Sequence, residues 1–150
     1  MKAMVCHEFT GIEGLTLEQR PAPIPAVGQV VIQVRACGVN FADSLITRGQ
    51  YQVQPLPPFS PGFEVAGEIA QVGEGVSGYS SGDRVIAITP HGGYAEQVAV
   101  NANRCVAMPE TMPYEHGAAF PIVFGTSHIA LWHRARLRAG ETLVVHGASG

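Results

Sequence analysis

Seven short segments of this chain alternate apolar and polar residues, or run apolar, between Gly, Pro and Asp punctuation: 1–6, 15–18, 29–36, 65–72, 84–88, 94–100 and 104–108. That rhythm predicts strands at the spacing of a compact barrel or sandwich, and not the strand–helix alternation of βαβ units. Pro21, Pro23 and Pro25 remove backbone donors, so the 21–25 stretch reads as a surface connection. After Met108 the pattern changes. Residues 113–120 begin a helical pattern, and from Phe124 to Leu137 apolar residues recur near helical spacing through Ile129, Ala130 and Trp132. Arg134, Arg136 and Arg138 suit the negative end of a helix, and Ala139-Gly140 supplies its stop. Leu143-Val144-Val145 then reads as a strand buried on both faces of a parallel sheet, turning at Gly147-Ala148-Ser149-Gly150. A β domain followed by a helix and the first strand of an α/β unit is the predicted order.

Composition narrows the function classes. With 150 residues, 46% hydrophobic and 14% charged, the chain is expected to fold as a soluble globular unit. A formal charge of −3, with 9 Lys+Arg spread along the chain, offers no basic patch for nucleic acid. No apolar run reaches the ~20 residues of a membrane span. The N-terminal Met1-Lys2-Ala3-Met4-Val5 runs into His7-Glu8 and not into a signal-peptide core, so the cytoplasm is the expected compartment. Cys6, Cys37 and Cys105 are widely spaced and unpaired in pattern, which reads as three buried thiols in a reducing compartment and not as a zinc site. The chain carries no internal repeat.

Seven strings stand in order: Cys37-Gly38-Val39-Asn40-Phe41-Ala42-Asp43, Arg48-Gly49-Gln50-Tyr51, Pro61-Gly62-Phe63-Glu64-Val65-Ala66-Gly67, Val72-Gly73-Glu74-Gly75-Val76, Gly82-Asp83-Arg84-Val85, Gly93-Tyr94-Ala95-Glu96 and Phe124-Gly125-Thr126. Together they resemble the medium-chain dehydrogenase/reductase superfamily, and within it the zinc-free, zeta-crystallin-like quinone oxidoreductases. The resemblance implies a mainly β fold with helices. A GroES-like β-barrel catalytic domain is expected over 1–123. A linking helix and the first strand and turn of an incomplete Rossmann domain are expected over 124–150. Zinc-dependent members usually place a cysteine where Asn40 stands and a histidine where Phe63 stands, with a third ligand near Ile122. Amide, phenyl and alkyl groups do not replace thiolate and imidazole around zinc, so no zinc is expected.

Each candidate residue carries a structural reading as well. Asn40 and Asp43 open a short helix, where both side chains suit capping; the resemblance moves Asn40 toward the nicotinamide, and Asp43 is read as a cap. Tyr51 is by residue type a packing tyrosine with its hydroxyl at the surface. Through the Arg-Gly-x-Tyr string it is implied to touch the cofactor and the substrate carbonyl, as a neutral hydrogen-bond donor. Thr126 bonds back within its helix or, by resemblance, approaches the nicotinamide. Ser149 and Gly150 are a bare turn or, by resemblance, pyrophosphate contacts. His91 lies beside Gly92-Gly93 in a loop that the resemblance brings toward the substrate cleft, whereas His128 and His133 are spaced off a common helical face. Glu64, without a metal, is read as a buried partner for an arginine or a backbone amide and not as a base.

The expected function is that of the N-terminal part of a zinc-independent, NAD(P)H-dependent oxidoreductase, NADPH being implied by the resemblance. Asn40 and Tyr51 would serve catalysis and the cofactor, with Thr126, Ser149 and Gly150 as further cofactor contacts. Hydride would pass to a quinone or an activated alkene. The alternatives are an enoyl-thioester or enone reductase on the same scaffold, and a non-catalytic GroES-like binding or structural module. The 150 residues alone are expected to be inactive, and the apolar Leu143-Val144-Val145 run to drive association into a homo-oligomer.

Overall fold

A computed structural model describes residues 1–147. The apolar alternation resolves into two antiparallel sheets. In the smaller, β1 (Lys2–Cys6) pairs with β2 (Leu15–Gln19). In the larger, β3 (Gln29–Cys37), β4 (Glu64–Val72), β5 (Arg84–Ile88), β6 (Gln97–Asn101) and β7 (Cys105–Ala107) take the order β6-β3-β4-β5-β7. All seven expected strands are present. β6 begins later than expected, because Tyr94 spends its N–H on the Pro61 carbonyl and its own carbonyl on the Met4 N–H. β7 is short because a 3₁₀ turn, Ala102–Arg104, precedes it.

Each strand buries the residues its alternation selects. Val85 and Ala87 on β5, and Val98 and Val100 on β6, point inward to join Val30, Ile32, Val65 and Ile69 in the main core. A second core of Cys6, Ile46, Phe59 and Phe63 lies beneath helix α1 (Phe41–Ile46), and Tyr51 and Ile122 pack against it. Helix α2 (Tyr114–His128) lies on β4, where Ala118 meets Ala66 and Met108. Its approach is pinned by Arg84, whose guanidinium donates to the carbonyls of Pro109 (2.9 Å), Met112 (2.6 Å) and Glu110 and stacks over the Tyr114 ring at 4.5 Å.

Three expectations change. The sheets are not closed into a barrel: among the described residues, β1 reaches beyond β2 through the isolated bridges Ala3–Ala95 and Cys6–Phe59, and closure needs a continuous ladder. The single long helix ends early, since α2 passes into a π-helical stretch, Ile129–Arg134, and Arg136 takes a positive φ of 53°, leaving Arg136 and Arg138 beyond the last turn. Leu143-Val144-Val145 is exposed and belongs to no strand, because a parallel strand exists only through the ladders of its neighbours and none stands beside it among the described residues.

Ile69, 1% exposed in the main core, and Ile24, 85% exposed in the proline-rich connection, give a matched pair. Ile69→Ala is expected to cost about 2–5 kcal/mol in urea unfolding. Ile24→Ala is expected to stay within about 0.5 kcal/mol of wild type.

Candidate functional site

Strand β3 ends at Cys37, and the chain runs extended through Asn40, the N-cap of α1, at φ −123° and ψ 154°. Asn40 and Asp43 form a capping box, in which the Asn40 N–H donates to Asp43 Oδ2 at 2.8 Å. The other Asp43 oxygen accepts the Gly62 N–H at 3.0 Å, which ties α1 to the strand entering β4. Asp43 is thus a cap and a buried cross-link at once.

Glu64 opens β4 and is 1% exposed. Its Oε1 accepts from Asn40 Nδ2 and its Oε2 from the Ile122 N–H, both at 2.8 Å. Among the described residues, the ion pairs are His7–Glu18, Arg20–Glu18 and Arg35–Glu68, so no cation neutralises Glu64 or Asp43. The Ile122 donor comes from the neighbourhood of Pro121, whose ring prevents the regular turn of α2. Space for the carboxylate comes from Gly38: a Cβ there would lie 2.2 Å from Glu64 Oε1. Gly62 makes the adjoining turn at φ +97°, with its α-carbon packed so that a Cβ would stand 2.8 Å from Gly93 Cα.

Two of the three positions compared above with zinc ligands therefore meet on one carboxylate. Asn40 and Ile122 bond Glu64 directly, and Phe63 turns into the second core, where its ring lies 5.2 Å from that of Tyr51. Tyr51 is half-buried and held by this tilted aromatic contact. Burial, reinforced by the charges of Asp43 and Glu64, pushes the Cys37 thiol up to about 12, so it stays protonated at neutral pH. Burial and the nearby Asp43 carboxylate also hold the Tyr94 phenol protonated well above its ordinary range. Val39 and Phe41, which flank Asn40 in sequence, are exposed, as is the stacked pair Phe120 and Phe124 on either side of Ile122 along α2.

Asn40 and the Ile122 turn are thus joined through Glu64, and Tyr51 and Ile122 pack against the same core as Phe63. Thr126 is exposed on α2, one turn beyond Ile122. Ser149 and Gly150 lie outside the described residues. His91 instead lines a separate groove of about 560 Å³ with Ala3, Val5, Ser60 and Gln97, where burial lowers its pKa and favours the neutral ring. Sequence reasoning missed Gly38 and the Ile122 N–H; the one available signal for the latter was a proline inside a helical pattern.

The alcohol dehydrogenase GroES-like domain family matches residues 26–110. A quinone oxidoreductase of Rattus norvegicus is 45% identical over the whole chain, which covers 46% of that relative. The quinone oxidoreductase of Thermus thermophilus, solved also in complex with NADPH, is 40% identical over 94% of this chain and 43% of its own, with a TM-score of 0.81. The CurK enoyl reductase is 30% identical over 93% of this chain and 45% of its own, with a TM-score of 0.84. The chain spans less than half the length of these relatives.

Gly38→Ala forces a methyl group onto the Glu64 carboxylate and is expected to cost about 1–3 kcal/mol. Thermal unfolding of the variant checks this, and unchanged stability would show that Glu64 swings aside freely.

Proposed function

The chain belongs to the alcohol dehydrogenase GroES-like domain family, within the medium-chain dehydrogenase/reductase superfamily, and from that premise we propose that it is the N-terminal part of a zinc-independent, NADPH-dependent oxidoreductase that reduces a quinone or an activated alkene. The observation that carries this reading is the convergence of Asn40 and the Ile122 turn on Glu64, with Tyr51 fixed beside them on Phe63. The donor set does not suit zinc, since amide, phenyl and alkyl groups stand at the compared positions. Among the described residues, no group of three His, Cys, Asp or Glu is arranged to hold a metal. It does suit a flat amphipathic ring: a phenol and an amide supply polar contacts, and Val39, Phe41, Phe120 and Phe124 supply apolar surface.

When bound, the nicotinamide supplies the hydride. The chain's own contribution is positional. Asn40 and Tyr51 hold the reacting faces in register, and the Tyr51 hydroxyl, as a neutral donor, stabilises negative charge on the substrate oxygen. Thr126, Ser149 and Gly150 are proposed as further cofactor contacts, and His91 remains with the groove it lines. Residues 1–123 would form the catalytic domain and 124–150 the link into a nucleotide-binding domain, so the 150 residues alone would bind NADPH poorly. Copies would associate through the exposed Leu143-Val144-Val145 run. No described helix is long and apolar enough to cross a membrane, and the cytoplasm is the proposed compartment. The likeness to an enoyl reductase keeps a second reading, reduction of an enone or enoyl thioester.

The complete protein, purified without chelator, is expected to oxidise NADPH with a soluble quinone while elemental analysis finds no zinc. Stoichiometric zinc, or no turnover with quinone or enone, overturns the reading. Tyr51→Phe keeps the ring packed on Phe63 and removes one hydroxyl. It is expected to weaken NADPH affinity or turnover by ~0.5–1.5 kcal/mol without changing the unfolding midpoint.

A further inference from the structure

A side-chain amide can turn over and exchange its donor end for its acceptor end at little cost unless a partner tells the two ends apart. Asn40 has such a partner, since its Nδ2 donates to Glu64 Oε1 at 2.8 Å. Reversing the amide would set its carbonyl oxygen against a carboxylate that only accepts. Glu64 is itself held in place, because its second oxygen accepts the Ile122 N–H at 2.8 Å. The Asn40 NH₂ group has two protons, and Glu64 takes one.

We propose that Glu64 is a positioning residue: by holding one Nδ2 proton of Asn40 it locks the amide and leaves the second Nδ2 proton as an oriented donor for an oxygen of the molecule bound beside Tyr51. That oxygen is a carbonyl or hydroxyl oxygen, supplied either by the substrate or by the cofactor. The inference rests on the reading of this face as the oxidoreductase site. It explains why an acid is buried here with no cation paired to it among the described residues: only an acceptor-only group fixes the amide in this sense, and a neutral amide at position 64 would confront either Asn40 or Ile122 with a donor.

Steady-state kinetics of the complete protein separate the possibilities. Glu64→Gln is expected to lower kcat/KM by roughly tenfold or more, as loss of a charge-assisted hydrogen bond does. A rise confined to the KM for NADPH assigns the oxygen to the cofactor, and a fall confined to the quinone parameters assigns it to the substrate. In an Asn40→Ala background the same change is expected to have no further effect. Unaltered kinetics in the single variant, or an undiminished loss in the double variant, overturns the proposal. Should Glu64→Gln fail to fold, wild-type protein decides by NMR: one Asn40 Nδ2 proton is expected to exchange slowly and its geminal partner quickly. Equal fast exchange of both overturns the lock. A wild-type protein inert with NADPH and with every quinone or enone defeats the oxidoreductase reading instead, while the exchange pattern still decides whether Glu64 locks Asn40.

Discussion

Two carboxylates, Glu64 and Asp43, are buried to within a few per cent of full enclosure in this fold, and neither is paired with a cation among the described residues. A buried anion without a counter-charge is tolerable only when surrounding donors do the work of water. That requirement organises the molecule around the site. Glu64 draws in the Asn40 amide from the end of β3 and a main-chain donor from α2; Asp43 draws in the Asn40 and Gly62 N–H groups. Three stretches of chain far apart in sequence, around residues 40, 63 and 122, meet because two side chains need solvating. The same two charges act on their surroundings in return, adding to the burial that keeps the Cys37 thiol protonated and therefore inert.

The rest of the fold serves as a rigid mount for that cluster. The main core holds β3 and β4 in register, and β4 delivers Glu64 at its first residue, opposite the end of β3. Arg84 fixes the turn that launches α2, so the Ile122 donor arrives at a set height above the sheet. Elements without such ties end irregularly: α2 loosens into π-helix after His128, and the chain beyond Arg134 runs exposed. Order follows the density of hydrogen bonds and apolar contacts that reach each segment.

The seven strands were legible because each half-buried strand writes its alternation locally, as Val85 and Ala87 do on β5. Their assembly was not, since whether β6 closes onto β1 depends on the pairing of edges distant in sequence. Leu143-Val144-Val145 shows the same limit in a single segment: β-branched residues mark a tendency to extend, but the ladder that makes a strand comes from outside the segment. At the site, Asn40, Tyr51 and Glu64 were legible as residue types with resemblance behind them. That Glu64 takes a backbone amide was expected from its type, but which one was not legible, because the Ile122 N–H carries no side-chain signature. Gly38 was silent for the opposite reason, its contribution being the absence of an atom.

That absence has an evolutionary side. Positions 38 and 64 cannot drift independently, because any side chain at 38 collides with the acid at 64, where an added Cβ would stand 2.2 Å from Oε1. A shorter side chain at 64 relieves that contact and lets position 38 take a methyl group, so the cost of a change at one position depends on the residue at the other. The two positions answer to mutation as a pair.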